Sequence, residues 1–181
     1  MKVIIKCLLT LTLIIFLSVS GYATKLVKGS GEDLSTIHSA YVEIDLSVAT
    51  SKQKILQYYL EMDKKSESRI QFDNDIQDIK TDFVKEFNKI GCPIKIGLDS
   101  SVETILRIVV NKVSIEGNHV WCDYIFQQKG SEDPIAIISM DSKNGRYGSF
   151  TNLMGDAFRT AGEDLAKFIK KAIKQGYKAE N

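Results

Sequence analysis

The stretch from Val102 to Met140 constrains this chain most, because it reads as consecutive β-strands with short connections. Leu106, Ile108 and Val110 take alternate positions, and then Val113 and Ile115 carry the apolar pattern on. Alternation with a period of two marks a strand with one buried face. The apolar parity changes around Asn111-Lys112, which predicts a bulge or a change of buried face. Glu116-Gly117-Asn118 is a tight-turn signal. Val120, Cys122, Tyr124 and Phe126 make the next strand, Lys129 to Pro134 a polar loop, and Ile135 to Met140 a third strand. Asp141-Ser142-Lys143-Asn144-Gly145 then supplies turn-forming residues.

Helical stretches flank this meander. Thr50 to Ile90 reads as mostly helical. Ile55, Leu56, Tyr59 and Leu60 share one face, and Ile76, Ile79, Phe83, Phe87 and Ile90 form a stripe on a 3.6-residue period. The charged run Asp63 to Arg69 predicts a break between the two parts. Asp73 or Asn74 is expected to cap the second part, with Asp75 and Asp78 at its positive end. Gly91 stops it and Pro93 follows. Ile94 to Leu98 is a short strand, and Ala40 to Ser47 alternates as another. Leu153 to Gln175 is the last helix, with a wide apolar stripe and a lysine-rich C-terminal end. Gly155 and Gly162 lie inside it. A glycine there costs about 1 kcal/mol relative to alanine, so the helix backbone is expected to lie close to the sheet.

The first strand reaches the meander through a helical crossover, which predicts a parallel pairing with a right-handed connection. The expected fold class is therefore α+β: a two-layer sandwich in β-α-β-β-β-α order, a mixed sheet with two main helices on one face. Residues 40–176 form a single domain in this reading. Thr24 to Ser39 is a flexible leader in which Lys25-Leu26-Val27 is a weak strand, and residues 177–181 are a tail.

Met1 to Ala23 carries Lys2 and Lys6, then an apolar run from Leu8 to Val19, then Gly21-Tyr22-Ala23 as a small-residue end. That is the pattern of a secretory signal peptide cleaved near Ala23. The run is shorter than the roughly 20 apolar residues a membrane span needs. Cys7 precedes the run, in the wrong place for lipidation. The expected location is the periplasm or the medium, with no membrane span after cleavage.

Cleavage would take two of the 24 basic residues and none of the 23 acidic ones, turning a net charge of +1 into −1. A near-neutral chain lacks the basic surface of a nucleic-acid binder. It would also keep two cysteines, Cys92 and Cys122, in an oxidising compartment. Two readings of them stay open. One is a disulfide closing a loop of about 30 residues, worth roughly 2–4 kcal/mol. The other is two separate thiols.

Catalytic patterns are sparse. His119 and Cys122 are three apart on a strand, so their side chains diverge. No CxxC or HExxH occurs, and neither Asp73-Asn74-Asp75 nor Asp141 to Gly145 matches a calcium loop. Both are read as capping and turn chemistry. There is no G-x-S-x-G for a small hydrolase, and Asp45, Glu103 and Asp123 do not single out a carboxylate pair. The glycine-containing loop Gly145 to Phe150 ahead of the last helix is either an anion-binding turn or a plain connector. No cofactor, metal or catalytic residue is expected. Tyr41, Trp121, Tyr124 and Tyr147 are the aromatic candidates for contact with a partner or a sugar.

The exported leader and the strand–helix–meander–helix order resemble the N-terminal domain of the periplasmic TolB proteins and the related domain of curli-secretion lipoproteins. The final segment, Gly155-Asp156-Ala157-Phe158 through Lys170-Lys171, is similar to a terminal-helix pattern in uncharacterised secreted proteins of gut-type bacteria. This chain departs from those proteins in having no propeller domain and no cysteine to lipidate after the signal. The resemblance implies no catalytic residues. The expectation is a non-enzymatic envelope protein that binds or helps to assemble another envelope component, using the uncovered sheet face or a free edge. A small-ligand or polysaccharide binder is the alternative.

Overall fold

The β6–β7 hairpin is the centre of the sheet. In the computed structural model, which describes residues 24–51, 54–55, 66–145 and 147–179, β6 is Thr104–Val113 and β7 is His119–Gln128. They pair antiparallel from Thr104 opposite Gln128 to Val113 opposite Val120. The register shifts between Val110 and Lys112, which is the bulge expected at Asn111-Lys112. The turn between the strands is the expected one, with Gly117 at φ 86°, a conformation that suits glycine. The third meander strand, β8, is Ala136–Lys143. It runs through Asp141 to Lys143, so the turn falls later, at Asn144-Gly145.

The full strand order is β1-β8-β7-β6-β2-β5. β2 (Ser39–Asp45) lies parallel to β6, with Tyr41 opposite Ile105, as the crossover argument requires. The short β5 (Lys95–Gly97) extends the sheet beyond it, also parallel. β1 (Lys25–Lys28) lies antiparallel to β8 at the other edge. A small pair, β3 (Thr50–Ser51) and β4 (Lys54–Ile55), attaches to the end of β6 through Thr50 and Lys112.

Among the described residues three helices complete the fold. α1 is Gly31–Ser35, α2 Ser66–Lys89 and α3 Phe150–Gln175. α2 and α3 cover one sheet face and give the two-layer α+β architecture. Ile79, Phe83 and Phe87 of α2 are buried, as their spacing predicts. Phe83 stacks on Tyr124 of β7 with ring centres 6.1 Å apart and meets Phe158 of α3 edge-on at 6.4 Å. Ser149 caps α3 by accepting from the Asn152 N–H, and Gly176 ends it at φ 62°. Among the described residues no helix is long and apolar enough to cross a membrane.

Several expectations are corrected. Thr50–Ser51 and Lys54–Ile55 pair as strands where a helix was expected, because the bulge end of β6 offers Thr50 a backbone partner. α2 already includes Ser66, so Asp73 and Asn74 lie inside it and cap nothing. Ser66 to Arg69 are already helical, so that part of the charged run is no break, and Asp63 to Lys65 lie outside the described residues. The leader is not flexible: β1 pairs with β8, and Leu26, Leu34 and Ile37 are buried. Gly155 and Gly162 turn toward α2 and not toward the sheet. A Cβ on Gly162 would lie 2.6 Å from the Phe83 carbonyl oxygen, and one on Gly155 would lie 3.6 Å from Ile79. Part of the tail is also structured, since Ser30 and Lys178 form an antiparallel bridge. The segment Met1 to Ala23, read above as a signal peptide, and the apolar face at Leu56 to Leu60 lie outside the described residues.

Candidate functional site

Among the described residues α2 and α3 cover one sheet face and no helix lies on the other, and side-chain alternation decides what stands on that uncovered face. On β7, Val120, Cys122, Tyr124 and Phe126 are buried toward the helices, so His119, Trp121, Asp123 and Ile125 point the other way. Register then aligns them with neighbours. Ile125 lies opposite Ile137 and Arg107, Asp123 opposite Ser139 and Val109, and Trp121 opposite Asp141 and Lys112. In one half of the face, half-buried Ile105, Val109, Ile125 and Ile137 surround the exposed Arg107. The other half is polar.

The polar half has a defined geometry. The bulge in β6 leaves both Asn111 and Lys112 exposed, beside β7. Asn111 Nδ2 donates to Asp123 Oδ2 at 2.9 Å, and the Ser139 hydroxyl donates to Asp123 Oδ1. Asp123 is therefore held by a hydrogen bond on each oxygen. His119 Nε2 lies 2.6 Å from Asp141 Oδ2, and the imidazole stacks on Trp121 with ring centres 3.8 Å apart. Lys112 Nζ sits 4.7 Å from the Trp121 ring centre, a cation–π contact. A hollow of about 290 Å³ is lined by Lys25, Asn111, Lys112, Trp121, Asp123 and Ser139 among others. Farther along, Arg107 pairs with Asp45, whose carboxyl the Ser47 side chain and Arg107 hold below the usual range.

This arrangement orients polar groups but does not assemble a nucleophile. Ser139 donates to Asp123, while His119 is engaged with Asp141, so the imidazole does not stand as base to that hydroxyl. Among the described residues no group of three or more His, Cys, Asp or Glu side chains could hold a metal ion.

The four aromatic candidates fare differently. Trp121 stands on the uncovered face. Tyr124 is 0% exposed and packs against Phe83, so it is not a contact residue. The rule that separates His119 from Cys122 separates these two as well, because they are also three apart on one strand. Tyr41 is half-buried on β2, where Lys80 of α2 donates to its hydroxyl at 3.3 Å. Its partner Ile105 and the Trp121 partner Lys112 are seven residues apart on β6, roughly 23 Å, so Tyr41 and Trp121 do not share a site. Tyr147, 94% exposed, lies in the connector ahead of α3.

Cys92 and Cys122 are free, buried thiols, which corrects the disulfide reading. Cys92 leads into β5, three strand positions from β7 in the sheet order. At about 4.8 Å per strand the separation is roughly 14 Å, and a disulfide needs Cα atoms within about 7 Å. Burial pushes the Cys122 thiol up to about 12 and raises that of Cys92 as well.

Sequence reasoning missed Lys25, Asn111, Lys112 and Ser139. The parity change at Asn111-Lys112 was the available signal for two of them. Lys25 lay in the stretch read as a leader.

No protein-family model matches this chain, and no curated protein does. One solved structure, described as an uncharacterized protein, aligns over 79% of this chain and 95% of its own at 9% identity, with a TM-score of 0.38.

Proposed function

We propose that this is an exported, non-enzymatic protein that binds another protein of the bacterial envelope through its uncovered sheet face. The observation that carries this reading is the patch of half-buried Ile105, Val109, Ile125 and Ile137 around the exposed Arg107, beside the ordered polar row at Asp123. Proteins bury such a patch when a partner supplies the missing layer, and the polar groups beside it set the orientation. The signal-like segment at the N-terminus and the likeness in element order to TolB-type domains support the same compartment.

The test is site-specific photo-crosslinking in the envelope. A crosslinker at Ile125 is expected to capture one defined protein species, and one at Lys167 on the outer side of α3 is not. Ile137→Asp is expected to abolish the Ile125 adduct while the far-ultraviolet spectrum stays native. Equal capture from both positions, or none from Ile125, overturns the reading. The hollow beside Trp121 favours a second reading, a small-ligand or polysaccharide binder. Glycan-array binding that is lost on Trp121→Ala would select it instead.

A further inference from the structure

The β1 edge of the sheet has a groove along it. β1 is the terminal strand in the order, hydrogen-bonded to β8 alone among the described strands. Beside it lies a groove of about 460 Å³, lined by Lys25, Leu26, Val27, Phe168, Tyr177 and Lys178 among others. Phe168 and Tyr177 form an edge-on pair at 6.0 Å, which gives the groove an aromatic wall. Val27 is 44% exposed.

The same backbone line already accepts an antiparallel neighbour immediately past β1. The Gly31 N–H donates to the Tyr177 carbonyl at 2.7 Å, and the Ala179 N–H donates to the Gly29 carbonyl at 3.0 Å. The rim is basic. Lys25 and Lys178 have no acidic partner among the described residues, and Lys171 lies over the Tyr177 ring.

We infer that this edge receives an extended segment of the envelope partner, one in which carboxylates alternate with apolar side chains, as an added strand along β1. The inference rests on the proposed protein-binding function and names the chemistry of the partner. Strand addition draws affinity from main-chain hydrogen bonds and specificity from alternate side chains. Here one set of side chains would meet Phe168 and Tyr177, and the other the lysines. Lysines on an edge strand also discourage pairing between like edges. A second copy of this chain would set lysine against lysine, so the charge pattern selects an acidic strand and rejects self-association.

The experiment uses the full exported chain and two capped hexapeptides, (Glu-Val)₃ and (Lys-Val)₃, read by fluorescence anisotropy and amide hydrogen exchange. The acidic peptide is expected to bind about tenfold more tightly than the basic one. It should slow exchange at Lys25–Lys28, and Lys25→Glu with Lys178→Glu should reverse the preference. If that pair disturbs the circular dichroism spectrum, Lys25→Gln with Lys178→Gln should abolish the preference. Equal binding of the two peptides, protection elsewhere than β1, or a concentration-dependent dimer overturns the inference. A crosslinker at Val27 separates it from the broader reading. Capture at Ile125 without capture at Val27 overturns strand addition alone, and capture at neither position overturns both.

Discussion

Gly155 and Gly162 sit seven residues apart in α3, face the same neighbouring helix, and should respond oppositely to alanine. A glycine-to-alanine change inside a helix gains about 1 kcal/mol from propensity and reduced unfolded-state entropy. At Gly155 nothing opposes that gain, because the new Cβ would stand 3.6 Å from an Ile79 side-chain carbon, an ordinary contact. At Gly162 the new Cβ would stand 2.6 Å from the Phe83 carbonyl oxygen and 3.3 Å from the Phe87 nitrogen. Those are backbone atoms of a packed helix, so α2 and α3 must separate. Overpacking of this kind costs about 3 kcal/mol at the upper end of its usual range. Offset by the propensity gain, the net loss is about 2 kcal/mol. For a domain of this size 1 kcal/mol corresponds to about 2–4 °C. Gly155→Ala should therefore raise the melting temperature by about 2–4 °C, and Gly162→Ala should lower it by about 4–8 °C. Thermal unfolding followed at 222 nm, with urea titration as a second measure, decides it. A Gly162→Ala chain as stable as Gly155→Ala would refute the close approach of the two helices.

Two further outcomes follow from the core. Among the described residues the buried Tyr124 hydroxyl has no partner stronger than the Cys122 thiol beside it, so Tyr124→Phe should stabilise the fold by about 1 kcal/mol in urea titration. A loss of similar size would mean that the hydroxyl has a stronger partner. The Cys122 thiol keeps its proton to about 12 in the folded chain, against an ordinary value of 9.0. The unfolded chain ionises first, so stability is full below pH 9 and falls as pH rises from 9 to 12. Cys122→Ala should flatten that decline, and an unchanged pH profile would remove Cys122 as its source. Both Cys92 and Cys122 should also alkylate in urea without reductant and resist alkylation in the native chain.

The buried side of the sheet was legible because its residues repeat. Leu106, Ile108 and Val110, and then Val120 through Phe126, each supply enough turns of the period-two pattern to declare a face, and the break between Val110 and Val113 announced the bulge. β1 was hard to read for the opposite reason. Four residues with one buried side chain, Leu26, show no period, and what fixes that strand is its register on β8, a partner more than a hundred residues away. The start of α2 failed similarly. A helix built on polar residues gives no apolar stripe, so its absence from Asp63 to Arg69 says nothing about where the helix begins. The glycines were legible as a close approach but not as to what they approach, because the choice between sheet and neighbouring helix depends on how α2 and α3 lie together.

The uncovered face tests the limits of sequence reading most sharply. Alternation alone shows that Trp121 and Tyr124 cannot both face outward, since an odd separation on a strand places them on opposite sides. It does not show which one is outward until the helices are placed. Once they are, everything else on that face follows by register: Trp121 brings Asp123 and Ile125 with it, β8 contributes Ser139 and Ile137, and the bulge adds Asn111 and Lys112. The site is therefore a consequence of a single binary choice, the face to which α2 and α3 commit. A chain that holds Phe83 against Tyr124 in its core must place Trp121 on the opposite face of the sheet.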